Sequence, residues 1–286
     1  MGYTNLQINK IILLRVKTYF KISKYFFRYT MWSLHDLNRT KNLKGIHSND
    51  SAFVFANGPS VNLLDPVKIN LYKNIGYSVF GINSYISTEF GEKVIPDYYV
   101  VSDPAHFGIH FYDIPEKRKK EIANDMEKII DHNISLFAPS SLYKRIKYKN
   151  IFPFNDSENI FSNNAVNILH PRGYVSMTAY KALAAACYLG FKKIYVCGFD
   201  NNYFKNIEVD QENNMFYPDD HFYHQDRNTK MHKVHPLEGR TLGEFLFNHH
   251  FLFKQLEKFK KYPIINLDKF SLVDAFSKKH DLDVYL

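Results

Sequence analysis

Beyond Lys44-Gly45 the chain alternates short apolar runs with longer helical segments, and this alternation restricts the fold more than any other feature. Strand, connection and helix in repeated order predict βα units and a mostly parallel sheet. The spacing predicts strands over 52–56, 77–82, 98–102, 135–138, 151–154, 193–197 and 263–267, and helices over 63–73, 115–131, 176–188 and 237–262. The stretch 201–236 breaks the pattern. Rich in Asn, Asp, His and Tyr and without periodicity, it is too long for a plain connection and is expected to form a lid. With 286 residues, 45% of them hydrophobic, the chain can bury one large α/β domain and is not a disordered tail.

Charge is distributed unevenly. The 37 Lys and Arg against 29 Asp and Glu give +8, and nine of the former with only Asp36 of the latter fall in residues 1–45, so the remainder balances. A basic total is therefore no reason to expect nucleic acid on the main body. Within the leader, Lys10, Lys17, Lys21, Lys24 and Arg28 recur at helical steps, while Ile12, Leu13, Val16, Tyr19, Phe20, Phe27 and Trp32 fall largely elsewhere around the turn. This predicts an amphipathic N-terminal helix over 1–45 suited to an anionic membrane surface. A helix packing its apolar side on its own domain is the competing reading. The first apolar run, 11–14, ends at Arg15, so neither a secretory leader nor a membrane span is expected. Two cysteines, Cys187 and Cys197, are too few for a disulfide scaffold and point to a reducing compartment.

Three consecutive strand ends carry polar residues: Asn57-Gly58-Pro59-Ser60, Asn83-Ser84 and Ser102-Asp103-Pro104. Open α/β sheets bind ligands outside the carboxyl ends of their strands. Gly58 permits a sharp turn close to a ligand, and Ser60 can cap the following helix. Neither a Walker loop nor a GxGxxG fingerprint follows, so the phosphate, nicotinamide and flavin sites built on those motifs are not expected. The strand 193–197 leads into Gly198-Phe199-Asp200 and then the polar stretch, which holds Tyr203, Tyr217, Asp219, Asp220, His221, Tyr223, His224, Asp226 and Arg227. Histidine can take a hydroxyl proton near neutrality, and tyrosine hydroxyls can bond a phosphate. His221, His224 and Asp219 are alternatively ligands for a divalent metal, although no further ligand completes a set.

Asn57-Gly58-Pro59-Ser60, the Asn83 strand end, the run from Leu189 to Asp200 and His221-Phe222-Tyr223-His224 before a long helix resemble the bacterial sialyltransferases of glycosyltransferase family forty-two. The resemblance covers residues 51–275 in order. It implies a single Rossmann-like, mostly parallel α/β sheet flanked by helices, of the GT-A-variant type, with a lid. It further implies that Asn57, Gly58, Pro59, Ser60 and Asn83, with Ser176 or Thr178, form the nucleotide site, which Asp103 and Asp200 adjoin. Tyr203 and Tyr217 correspond to the tyrosines that hold the departing phosphate. His224, with His221 as competitor, corresponds to the base. Asp103 stands where that family has Asn, and Pro96-Asp97-Tyr98-Tyr99-Val100 leading into Asp103-Pro104 is similar to a group related to archaeal pterin pyrophosphokinases.

The resulting expectation is an inverting, metal-independent enzyme without a cofactor, carrying an acidic sugar from a CMP donor to a surface glycan or glycolipid such as lipooligosaccharide. It would sit at the inner face of the cytoplasmic membrane, held by residues 1–45, with residues 46–286 as the catalytic domain. A homo-oligomer is left open. The alternative enzyme is a Mg²⁺-dependent pyrophosphokinase using Asp103 and Asp200, and a third class is a glycan-binding protein without catalysis.

Overall fold

The computed structural model describes residues 9, 12, 13, 16, 17, 19, 20, 23, 34–109, 115–157, 162–172, 177–218, 222, 231–234 and 241–286. It is an α/β structure around a seven-stranded parallel sheet, β1 (Ser51–Phe55), β2 (Ser78–Ile82), β3 (Tyr98–Val100), β4 (Ser135–Pro139), β5 (Ile151–Phe154), β6 (Lys193–Cys197) and β10 (Ile264–Asn266). The strand order is β10-β6-β1-β2-β3-β4-β5, and every pairing is parallel. The architecture is Rossmann-like. Because all strands run the same way, their carboxyl ends share one edge.

Alternation along each strand builds two apolar layers. Val54, Phe80, Val100 and Phe137 face α5 (Thr178–Leu189) and the buried Leu256 of α6 (Leu242–Glu257). Phe53, Phe55, Val79, Tyr99 and Leu136 face α2 (Pro66–Asn74), α3 (Glu89–Lys93) and α4 (Glu116–Asp131). Both faces are covered, so the strands are apolar throughout rather than half polar. On α5, Ala179, Ala182, Ala184, Ala185 and Ala186 are all buried, and side chains this small let the helix lie close on the strands. The helix ends at Gly190, in a left-handed conformation, which stops it and turns the chain into β6.

Only part of the leader falls within the described residues. The described residues between 9 and 23 are helical, and Ile12, Leu13, Val16, Tyr19 and Phe20 are exposed. A second helix, α1 (Leu34–Lys41), packs on the edge strand β5. Leu37 is buried, and the fully buried Thr40 donates its hydroxyl to the Pro153 carbonyl at 2.6 Å. The turn that follows bonds the end of α5 through Gly45 N–H to Tyr188 O and His47 N–H to Leu189 O. His47 stacks on Phe191 at 4.3 Å and lies 2.5 Å from the Tyr98 hydroxyl. Residues on the two sides of position 45 thus pack on the same sheet edge and helix end. Among the described residues, no helix is long and apolar enough to cross a membrane.

Two differences from the sequence expectation have local causes. Where one helix over 63–73 is expected, a 3₁₀ turn (Pro59–Leu63) comes first and α2 starts only at Pro66. Asp65 caps it by accepting from Val67 N–H at 2.8 Å, and Pro66 supplies the preset φ of a first helical residue. Between 201 and 236, β7 (Glu208–Val209), β8 (Met215–Pro218) and β9 (Met231–Lys233) form a small antiparallel sheet. Met215 and Val234 pack there on Phe245 of α6. Finally, the chain end returns to the β1–α2 connection, with Asp65 N–H bonding Val284 O and Leu286 N–H bonding Leu63 O.

Candidate active site at the strand-end crevice

The chain lays β1 to β5 outward in one direction and then returns to the other side of β1 for β6 and β10. At such a switch point the connections after adjacent strands diverge and leave a crevice. Two segments meet there: Asn57-Gly58-Pro59-Ser60 after β1 and Gly198-Phe199-Asp200 after β6. Gly58 N–H bonds Gly198 O at 3.0 Å. Ser60 holds Asp200 twice, its N–H donating to Oδ1 at 3.2 Å and its hydroxyl to Oδ2 at 2.9 Å. The same hydroxyl accepts from Gly198 N–H at 3.0 Å. The approach is so close that a Cβ on Gly58 would stand 1.8 Å from Asp200 Oδ2 and 2.6 Å from Gly198 O. Only glycine fits.

Ser60 therefore clasps the next strand end instead of capping a helix, and Asp200 points into this clasp. Burial pushes the Asp200 carboxyl up to about 6, with nearby Asp268 adding to the rise and the Ser60 bonds opposing it. The neighbouring Cys197 thiol is raised to about 12 by burial, so it is protonated and unfit as a nucleophile.

Beyond the clasp, Asn57 and Asn83 follow adjacent parallel strands. Asn57 Oδ1 is buried and has no hydrogen-bond partner among the described residues. Asn83 sits at φ 50°, in the left-handed region that asparagine tolerates better than most residues. Its carbonyl accepts from the Tyr99 hydroxyl at 2.8 Å. Asp103, after β3, is exposed and caps its own turn by accepting from Ala105 N–H at 2.9 Å. Thr178 opens α5 with its hydroxyl 2.7 Å from that of Ser102. Among the described residues no side chain caps this helix start, and its first N–H groups and dipole face the strand-end edge and favour an anion.

One residue of the polar stretch is fixed on the turn. Phe222 is buried, its N–H bonds Asn57 O at 3.0 Å and its carbonyl accepts from Asn62 Nδ2 at 2.9 Å. Its ring lies 6.2 Å from that of Tyr85. His221, His224 and Ser176 lie outside the described residues, as do Asp219, Asp220, Tyr223, Asp226 and Arg227. Tyr203 begins a 3₁₀ turn (Tyr203–Asn206). Tyr217 lies on β8 with its ring 6.2 Å from Phe245 of α6, which ties this part of the stretch to the helix.

The structure thus brings together Asn57, Gly58, Pro59, Ser60 and Asp200 directly, sets Asn83 on the next strand, and joins Thr178 to the β3 end that carries Asp103. Ser102, noted in the sequence only as part of a polar strand end, links β3 to α5. Two residues were not singled out in the sequence. Arg118, in the first turn of α4, donates to Ser84 Oγ at 3.1 Å beside Asn83. Asp125, 1% exposed, lies below it, and burial raises its carboxyl against the opposing hydroxyls of Ser87 and Ser84. The run Lys117-Arg118-Lys119-Lys120 reads as a solvated helix face, so nothing in the sequence marks Arg118. Among the described residues, no three His, Cys, Asp or Glu side chains are close enough to hold a metal ion. Compared with protein-family models, curated proteins and solved structures, the chain matches none of them.

Proposed function

We propose that the chain is a sialyltransferase-like glycosyltransferase, moving an acidic sugar from a CMP donor to a glycan or glycolipid acceptor with inversion and without a metal. The observation that carries this reading is the anchoring of Phe222 on the Asn57 turn at the switch point. That bond ties the histidine-bearing stretch to the place where an open α/β sheet takes its ligand. The amides of Asn57 and Asn83 suit a nucleotide base and ribose, and the start of α5 suits its phosphate.

In the reaction, His224 removes the acceptor hydroxyl proton as that oxygen bonds to the anomeric carbon; His221 is the competing base. The bond from that carbon to the phosphate oxygen breaks, and CMP leaves with the electron pair while Tyr203 and Tyr217 donate hydrogen bonds to its phosphate. A general base contributes about 10²–10⁴-fold. His224→Ala is therefore expected to lower turnover by about that factor with nucleotide affinity nearly intact. Full activity in both His224→Ala and His221→Ala sinks the mechanism.

The exposed Asp103 favours one second reading, a Mg²⁺-dependent pyrophosphokinase. Thermal shifts separate the two: stabilisation by CMP without metal supports the transferase, and stabilisation by ATP only with Mg²⁺ supports the kinase. The exposed Ile12, Leu13, Val16, Tyr19 and Phe20 support a peripheral seat on the inner face of the cytoplasmic membrane.

A further inference from the structure

The opposite edge of the sheet, where the strands begin, carries a groove of about 420 Å³ between the starts of β6 and β10. Buried Ile264 and Phe276 line its inside, and exposed Lys192, Lys193 and Lys260 line it beside half-buried Tyr262. None of the residues lining it is acidic. Some lysines elsewhere pair with carboxylates, as Lys68 does with Asp283, Lys73 with Asp97, Lys128 with Glu92 and Lys144 with Asp36. Lys192, Lys193 and Lys260 have no ion pair among the described residues, and Lys261 follows with its ammonium over the Tyr262 ring at 5.5 Å. Like charges gathered around an apolar slot repel one another until an anion sits among them.

We infer that this groove seats an acidic phospholipid, the three ammonium groups taking the headgroup phosphate and the Ile264–Phe276 wall taking the start of the acyl chains. A free phosphate would satisfy the lysines but gain nothing from the apolar wall. A lipid uses both, and a tyrosine beside the slot matches the preference of that side chain for a membrane boundary. The inference is independent of the proposed reaction, since the groove and the strand-end crevice lie at opposite edges of the sheet.

The test is flotation of the full chain with vesicles of phosphatidylcholine alone and of phosphatidylcholine mixed with phosphatidylglycerol. The comparison is with a Lys192→Ser, Lys193→Ser, Lys260→Ser variant whose circular dichroism and melting confirm an intact fold. Each lysine near an anionic surface strengthens binding about fivefold, so the triple variant is expected to lose on the order of 100-fold in partitioning to the anionic vesicles. Its CMP response should be unchanged. Partitioning of the variant equal to that of the parent overturns the proposal, whatever the N-terminal helix contributes. So does a parent chain that ignores anionic vesicles while inorganic phosphate raises its melting temperature, which would make the groove a site for free phosphate.

Discussion

Replacing Asp200 by Asn removes one ionisable group from the Ser60 clasp and leaves its shape nearly unchanged. In the folded chain the carboxyl keeps its proton up to about pH 6, whereas in the unfolded chain it releases it near the usual ~3.9. Between those values folding takes up a proton. The contribution of this group to stability is therefore fully present below about pH 4, is lost as pH rises to about 6, and is constant above that. A change of about two tenfold steps in proton affinity, at ~1.4 kcal/mol each, corresponds to about 3 kcal/mol. Asn cannot titrate, so Asp200→Asn should lack this decline. Its oxygen can still accept from Ser60 N–H and its amide can donate to Ser60 Oγ, but the serine hydroxyl then loses its acceptor, a cost of about 1 kcal/mol. The net expectation at neutral pH is a gain of about 2 kcal/mol. Urea unfolding of both chains across pH about 4 to about 7 reads it directly, because the difference between them isolates this one group. Parallel pH profiles would show that the clasp does not hold a carboxyl of raised affinity, and the account of it would fail.

Two other substitutions probe the same region. Gly58→Ala forces a methyl group to within 1.8 Å of Asp200 Oδ2; it should cost about 3 kcal/mol in urea unfolding and abolish the thermal shift with CMP. Phe222→Ala removes the buried ring that holds the polar stretch on the Asn57 turn. A loss of about 3 kcal/mol localised there should speed limited proteolysis around residue 222 by about 100-fold, read by mass spectrometry, with little change in the melting of the sheet.

The sheet was legible because its strands are buried on both faces and so read as uninterrupted apolar runs. The expected 151–154 and 193–197 match β5 and β6 residue for residue. The strands β7 to β9 were not legible, being two to four residues long and too short to show alternation. Helix α2 was displaced because Pro59 and Pro66 punctuate two different turns, and only backbone geometry distinguishes the 3₁₀ segment from the helix after it. At the site, the Asn57-Gly58-Pro59-Ser60 turn stood out as glycine and proline directly after a strand. The inward role of Asp200 did not, since it depends on a partner 140 positions away in the chain. Thr40 was hidden for the same reason, because its partner, the Pro153 carbonyl, lies 113 positions away.

The strand order also shapes how the polypeptide emerges from the ribosome. β1 is an interior strand of the finished sheet, yet one of its two neighbours, β6, is translated only after β2 to β5 are complete. Throughout that interval the nascent Ser51–Phe55 segment presents a bare row of amides and carbonyls, the kind of surface that recruits other chains. Ribosomes stalled before residue 193 should therefore carry the most aggregation-prone and chaperone-dependent form of this polypeptide.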